Sequence, residues 1–340
     1  PRGSQNASVS QVIGTTKIYI NYSRPSANGR EIWGKLVPYG MNNLGFGTAK
    51  ESPWRAGANE NTIFKVTNDV TIEGKTLPAG KYGLHVIVYE DDRAAIIFSK
   101  NHTSWGSFFY DPSEDMLRVD VKTKTNSHVE QLTYGFNDVT ANSAIAVLDW
   151  EKKRIPFKIE VNVATIVLND IRKKLQNQPG FQRQTWEQAA NYALNNAGDL
   201  NEALGWINNA ISGQFYSQQD FNNTQIKGYI LLKMGKEDEA ISLLDSYLPK
   251  ATIFETHQYG RLLIAQGKKE KALEVFTLNA KNNKETWPVD YGLARAYSAL
   301  GDYKTALKHI MIAESRAPDQ LNKNAIKSNI EKLKNNQDIN

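Results

Sequence analysis

The first half of the chain alternates apolar and polar residues with a period of two. Segments such as KYGLHVIVYE and MLRVDVKTK place every second side chain on one face, which is typical of half-buried β-strands. Turn-forming residues, for example those at 78–80, separate the segments, and no helical stretch lies between them. The pattern therefore predicts an antiparallel β-sandwich over residues 8–165. In QVIGTTKIYINYS we expect Val12, Ile18 and Ile20 to lie on one side of the sheet.

From Ile166 the apolar period changes to 3.6 residues, which indicates amphipathic helices. Four similar segments, GDLNEAL, GKEDEAI, GKKEKAL and GDYKTAL, begin at Gly198, Gly235, Gly267 and Gly301. Their spacing of 37, 32 and 34 residues, by subtraction, is that of tetratricopeptide repeats. We therefore predict a multidomain fold, all-β followed by all-α. The second domain is a tetratricopeptide-like helical array over residues 166–340, closed by a polar capping helix at SNIEKLKNN.

Small residues recur at two further positions of the repeat. Alanine follows the turn glycine by five residues, at Ala203, Ala240, Ala272 and Ala306. A small residue also precedes the turn glycine by seven residues, at Gly228, Gly260 and Ala294. We expect the turn glycines to adopt a left-handed conformation that ends the first helix, and the small residues to let the helices pack closely.

Composition limits the classes of protein that fit. The 340 residues are 40% hydrophobic and 23% charged, as in ordinary soluble proteins, and no apolar run is long enough to predict a membrane span. The net charge of +5 is spread thinly, without a long basic run, so we predict no nucleic-acid partner. The absence of cysteine excludes disulfides, thiol nucleophiles and cysteine–zinc sites.

Residues 1–7 are interpreted as a tag remnant and a short N-terminal arm. The first four residues, PRGS, resemble the end of a thrombin-cleavage tag. Such a tag joined directly to QNASVSQ is expected where a signal peptide has been removed, so we expect a periplasmic or extracellular protein.

Three loops of the predicted sandwich combine arginine, asparagine and tryptophan: YSRPSANGREIWG, PWRAGANENT and NHTSWGSFFY. Loops on a rigid sheet often carry binding residues. Guanidinium groups bind carboxylate, sulfate or phosphate groups with a planar fork, and indole rings stack on sugars or aromatic rings. We therefore predict an anionic or glycan ligand. The candidate ligand-binding residues are Arg24, Arg30, Trp54, Arg55, Asn59, Glu60 and Trp105, and Trp33 lies in the same loops.

Two other interpretations of these loops stay open. In the first, the polar side chains bind the backbone of their own loops, the tryptophan rings close the end of the sandwich, and no cavity forms. In the second, the protein is a hydrolase or lyase acting on an envelope glycan or similar polymer. Glu60 is then the acid or base, assisted by Arg55 and Asn59, and it should lie buried beside Arg55 in an open pocket with a raised or coupled pKa.

Sequence motifs predict neither a cofactor nor a metal site. The chain has no GxGxxG, GxxxxGK[ST], GxSxG or HExxH motif, and its five histidines form no close pair. His85 lies in the middle of a predicted strand, so we interpret it as a structural histidine.

The predicted repeats indicate a protein or peptide partner. Tetratricopeptide arrays commonly bind such partners in a concave groove. The first helices carry Asn191, Asn195, Lys227 and Arg261, which do not reproduce the lysine and asparagine set of a carboxylate-clamp array.

The N-terminal half resembles the domain of unknown function 2911 family, which is common in Bacteroidetes. The resemblance rests on SVSQVIGTTKIYINYSRPSANGREIWGKLVPYG, WRAGANENT, TLPAGKYGL, HTSWGSFFY, EDMLRVDVK, VEQLTYGF and RIPFKI, in that order over about residues 8–160. Compared with many members, the chain inserts Met41 to Pro53 before the WR motif. The resemblance implies an exported protein with a signal peptide, and it implies no particular activity.

These observations predict an exported, non-enzymatic binding or scaffold protein of two domains. A third hypothesis makes the sandwich only a stabiliser of the repeat array. It predicts that the sandwich does not fold well by itself.

Overall fold

The computed structural model describes all residues, Pro1–Asn340. The chain forms two compact units, Pro1–Asp170 and Ile171–Asn340, and the division falls inside the first α-helix. Each unit has its own hydrophobic core, so each is described by itself.

The first unit consists of two antiparallel sheets, as the period-two pattern predicted. One sheet has six strands in the order β1-β2-β3-β6-β7-β8, and the other has four in the order β5-β4-β10-β9. The strands are β1 Gln5–Ile13, β2 Thr16–Arg24, β3 Thr62–Val66, β4 Val70–Ile72, β5 Lys75–Leu77, β6 Gly80–Val88, β7 Arg93–Ser99, β8 Asp115–Lys122, β9 Lys124–Asn137 and β10 Ser143–Glu160.

Apolar side chains from both sheets form the core of this unit. Phe64 on β3, Phe98 on β7 and Phe157 on β10 are fully buried and contact one another, with ring centroids 4.9 to 6.1 Å apart. Aromatic rings bury large apolar areas, so this cluster is a main source of the stability of the sandwich.

The first two strands differ from the predicted pattern at one residue. β1 and β2 form a hairpin that turns at Gly14 and pairs Val12 with Lys17, and Gln11 with Ile18. Residues directly opposite each other in an antiparallel pair share a face, so Val12 lies with Lys17 on the other side from Ile18. Val12 is accordingly 51% exposed while Ile18 is fully buried, and the predicted common side for Val12 and Ile18 is wrong.

The helical half is a tetratricopeptide-like array, and the predicted fold class is confirmed for both halves. The ten α-helices are α1 Val163–Leu175, α2 Arg183–Asn195, α3 Leu200–Ile211, α4 Phe221–Lys233, α5 Glu237–Tyr247, α6 Ile253–Ala265, α7 Lys269–Asn282, α8 Trp287–Ala299, α9 Tyr303–Arg316 and α10 Gln320–Lys334. Short 3₁₀ helices span Pro112–Glu114, Gln178–Phe181 and Leu248–Lys250.

Three of the four predicted turn glycines end their helices in a left-handed conformation. Gly235, Gly267 and Gly301 have φ between +75° and +83°, where a side chain would be strained. In the first repeat the left-handed residue is Ala197 instead. Gly198 is needed there for space, because a Cβ atom on it would lie 2.7 Å from the Cβ of Ala193.

The predicted small residues lie where helices cross. Ala203, Ala240, Ala272 and Ala306 are fully buried. Glycines on α6 and α8 form a slot for the buried ring of Phe276 on α7, since a Cβ atom on Gly260 or Gly292 would overlap that ring. No helix combines the length and the apolar character needed to cross a membrane.

Candidate functional site

The candidate residues of the sandwich loops lie in several places. Arg24 donates from Nε to the carbonyl of Leu132 at 3.1 Å and from Nη2 to Thr133 Oγ1 at 2.7 Å, both on β9. Arg30 donates to the carbonyls of Ala27 and Ser26 in its own loop. Arg30 therefore bonds its own loop, as the structural interpretation expected, whereas Arg24 joins the end of β2 to β9.

Two of the three tryptophans pack inside the sandwich. Trp33 and Trp54 contact each other edge to face, with centroids 5.8 Å apart. Trp54 also stacks on the buried Trp150 at 5.9 Å. Trp105 is different, since half of its surface is exposed and the guanidinium of Arg2 lies 5.7 Å from its ring.

The PWRAGANENT loop is held by one bond within the loop and by bonds to the N-terminal arm. Arg55 donates from Nη1 to the carbonyl of Asn59 at 2.8 Å, and Asn59 donates from Nδ2 to the carbonyl of Ser4 at 3.1 Å. Glu60 accepts a hydrogen bond from Arg2 at the surface, and this bond lowers the pKa of the Glu60 carboxyl group. Because Arg2 lies in the segment interpreted as a tag remnant, this bond does not test the hydrolase or lyase alternative, which stays a prediction.

A buried histidine lies behind this loop. His85 on β6 is 3% exposed, and its Nδ1 lies 2.9 Å from the hydroxyl of Ser107. Burial, with a smaller contribution from the positive charge of Arg55, lowers the pKa of His85 to about 4. His85 is therefore neutral at physiological pH, in keeping with its interpretation as a structural histidine.

The inserted segment from Met41 to Pro53 lies against the outer face of the six-stranded sheet. Met41 and Ala49 pack on a cluster that includes Ile97 and Tyr110. An open cleft with a volume of about 730 Å³ lies between this segment and residues Tyr110 to Pro112. None of the seven predicted ligand-binding residues lines the cleft. Ligand binding by those seven residues stays a prediction.

A more coherent arrangement lies on the helical half. The residue directly after each small residue of the repeat is Tyr229 on α4, Arg261 on α6 and Arg295 on α8. His257 precedes Arg261 by four residues on α6, and Tyr291 precedes Arg295 by four residues on α8. Residues four apart are neighbours on a helix, so each ring shares a face with the arginine of its helix. We call the surface formed by these five residues the basic face.

Aromatic contacts join the helices of the basic face. The ring of His257 stacks on that of Tyr291 with an interplanar angle of 18° and centroids 6.1 Å apart. The guanidinium of Arg295 lies 4.7 Å from the Tyr291 ring, and its Nη2 donates to the Tyr291 hydroxyl at 3.1 Å. Asn329 on α10 donates to the same hydroxyl at 2.6 Å. The rings thus hold Arg295 in a defined position.

Positive charge dominates the electrostatics of the basic face. Burial, together with smaller contributions from the charges of Arg295 and Arg261, lowers the pKa of His257 to about 4, although a hydrogen bond to the Pro288 carbonyl acts in the opposite direction. The pKa of Arg295 is lowered mainly by burial, and also by the charge of Arg261. The two guanidinium groups therefore lie close enough to repel each other.

No carboxylate lies within ion-pair distance of either arginine of the basic face, although the negative charge of Asp338 acts on Arg295 and opposes the lowering of its pKa. Arg295 bonds only carbonyl, amide and phenol oxygens, and Arg261 is exposed and makes no ion pair. Two buried donors in this region also lack a partner, Nε of Arg295 and Nε2 of Gln225 on α4. Unpaired buried donors are costly, so acceptor atoms brought to this surface would form favourable hydrogen bonds.

The sequence had singled out only Arg261 among these residues. Tyr229 and Arg295 occupy the corresponding position of their repeats, so aligning the repeats on Gly228, Gly260 and Ala294 would have found them. Asn191 and Asn195, also named from the sequence, instead bond each other along α2 at 2.8 and 3.0 Å.

The two halves define a protein that joins a β-sandwich to a tetratricopeptide-like array. Residues 4–159 match the family described as protein of unknown function (DUF2911), which confirms the resemblance of the N-terminal half. No curated protein matches the chain.

Solved structures that resemble the chain in its helical part include two tetratricopeptide repeat proteins. YrrB, described as having an unusual peptide-binding site, is 17% identical, with 49% of this chain and 84% of YrrB covered and a TM-score of 0.34. A repeat protein from Parabacteroides merdae is 15% identical, with 52% of this chain and 74% of that protein covered and a TM-score of 0.36.

Proposed function

We propose that the protein is a non-enzymatic scaffold whose basic face binds an acidic segment of a partner protein. The observation that carries this proposal is the position of Arg261 and Arg295 at the same place on two packed helices, with no carboxylate at hydrogen-bond distance from either guanidinium group. A ligand that brings carboxylates to this surface removes the repulsion and forms charge-assisted hydrogen bonds.

The aromatic residues of the basic face fit a peptide better than a free ion. Tyr229, His257 and Tyr291 offer apolar ring surface next to the charges, and the pKa of the Tyr229 hydroxyl is raised by its burial. The arginines lie on two different helices, so one extended segment with several acidic residues reaches both. An anionic or glycan ligand at the sandwich loops is a separate, untested proposal.

We also propose that the protein works in the periplasm or outside the cell. The support is the resemblance of the N-terminal half to a family whose members typically carry a signal peptide. Fractionation of cells that produce the natural protein tests this. Recovery of the mature protein in the cytoplasm would overturn it.

The binding proposal is tested by fluorescence anisotropy with two labelled peptides, one of alternating Glu and Leu residues and one of alternating Lys and Leu. We expect only the Glu-containing peptide to bind, and its affinity to fall with added salt. Arg261→Ala and Arg295→Ala should each weaken binding about tenfold or more, because a charge-assisted hydrogen bond is worth about 1.5–3 kcal/mol.

Lys281→Ala is the matched control, since Lys281 on α7 is also basic and exposed but lies outside the basic face. The affinity of Lys281→Ala for the Glu-containing peptide should stay within about twofold of that of the original chain, because an exposed, screened charge contributes little to binding. Equal binding of both peptides, or equal losses for Lys281→Ala and Arg295→Ala, would refute the proposal.

A further inference from the structure

A segment of the chain itself lies on α8 of the basic face. Asp338 accepts a hydrogen bond from the hydroxyl of Ser298 at 2.7 Å, and the backbone N–H of Ile339 donates to the same hydroxyl at 3.1 Å. Asn340 donates from Nδ2 to the carbonyl of Arg295 at 3.0 Å. Three consecutive residues thus bind α8 through both main chain and side chains, as a bound peptide does.

Ile339 is the apolar anchor of this segment. It is 4% exposed, although both of its neighbours are exposed, and it joins the cluster formed by α8, α9 and α10. The segment therefore combines an acidic residue, a buried aliphatic residue and a backbone held by polar groups.

The segment provides only part of the hydrogen bonds that the guanidinium group of Arg295 can make. The contacts of Arg295 Nη1 with the Ile339 carbonyl and the Asn340 amide oxygen are long, at 3.3 and 3.4 Å, and Nε has no partner. The Asp338 carboxylate bonds Ser298 and Asn340 rather than the guanidinium. A carboxylate placed at Arg295 would form shorter and stronger bonds, so a better ligand can replace this segment.

We propose that Asp338–Asn340 is an intramolecular competitor that covers the α8 part of the partner site until a partner segment displaces it. The inference rests on the proposed function, whose binding surface it shares. It also specifies the partner: an extended segment in which a carboxylate reaches Arg295 and a nearby aliphatic side chain takes the place of Ile339.

Competition sets the size of the expected effect. The apparent affinity for a partner falls by the fraction of molecules in which the site is open. If the segment is docked in about nine molecules of ten, its release tightens binding about tenfold.

The test uses the full chain and the labelled Glu-Leu peptide. The double variant Asp338→Ala/Ile339→Ser should bind this peptide about tenfold more tightly than the original chain. Asp338→Ala/Asn340→Ala changes only exposed side chains and keeps Ile339 in place, so it should bind more tightly by a smaller factor. Gln337→Ala is the control, because Gln337 is exposed and precedes the docked residues, and its affinity should not change.

A second probe separates the two proposals. A labelled NNQDIN peptide, with the sequence of residues 335–340 and both ends blocked, should bind Asp338→Ala/Ile339→Ser but not the original chain. Binding of neither probe to any variant overturns both proposals. Equal binding of the Glu-Leu peptide to all variants keeps the proposed function and overturns the competition. Loss of thermal stability in both segment variants without a gain in affinity shows a purely structural segment and overturns the competition as well.

Discussion

At the scale of single residues, His85 makes the sandwich sensitive to pH. Its folded-state pKa of about 4 lies below the ordinary value of 6.5, because burial disfavours the charged ring. As the pH falls below 6.5, His85 becomes protonated in the unfolded chain but stays neutral in the folded chain. The free energy of unfolding therefore decreases until about pH 4. We expect the protonation of His85 alone to lower the free energy of unfolding by about 2 kcal/mol between pH 7 and pH 5.

The measurement is urea unfolding at both pH values for the original chain and for His85→Asn. Asparagine retains a polar atom that can reach Ser107 but does not titrate. The variant should be less stable at pH 7 and should lose less stability on acidification. The explanation through His85 is wrong if both proteins lose the same free energy of unfolding between pH 7 and pH 5.

Residue identity predicted burial well and contact partners poorly. The place of His85 in an apolar strand was enough to interpret it as structural. Trp54 is adjacent to Arg55 in the sequence and was grouped with it, yet its ring stacks on Trp150, almost a hundred residues later. Such a contact depends on how two sheets pack, which the local pattern does not contain. Arg295 was missed for another reason, since its role emerges only when the repeats are compared with one another.

At the scale of elements, periodicity identified the strands and helices more reliably than it located their ends. The predicted capping helix at SNIEKLKNN, residues 328–336, overlaps the second half of α10, which begins earlier, at Gln320, and ends at Lys334. The Asp319 side chain accepts a hydrogen bond from the Asn322 N–H and caps the start of α10. A cap of this kind is a single polar residue among many, so the apolar period alone does not reveal it.

Two threonines that precede helices allow a matched test of helix capping. Thr252 and Glu255 form a reciprocal capping box at the start of α6, with bonds of 3.3 and 2.7 Å. Thr286 precedes α8 but caps none of its N–H groups. We expect Thr252→Ala to cost about 1 kcal/mol of unfolding free energy, and Thr286→Ala to cost clearly less.

Urea unfolding followed by far-ultraviolet circular dichroism gives both values, because the helical half dominates that signal. Equal losses for the two variants would show that the capping box contributes nothing beyond an ordinary hydroxyl group.

At the scale of the whole molecule, the change of apolar period near residue 165 was the sequence feature that predicted the architecture best. It separated a sheet half from a helical half, and the recurring glycines then identified the type of array. The basic face and the docked Asp338–Asn340 segment were not predictable in this way. They depend on which side chains of different helices meet after stacking, and neither leaves a local motif.

The two cores predict that the sandwich folds without the repeats. The buried apolar residues of its core all precede residue 162, and Val163 and Ile166 of α1 pack against them. A fragment of residues 1–170 should therefore unfold cooperatively, whereas 1–160 should be less stable by about 2–4 kcal/mol because it lacks Val161 and these two side chains. Thermal unfolding of both purified fragments measures this difference in stability.

If 1–170 is unfolded or insoluble under conditions in which the full chain is folded, the sandwich depends on the repeats, as the third hypothesis holds. If both fragments are equally stable, α1 contributes nothing to the sandwich core.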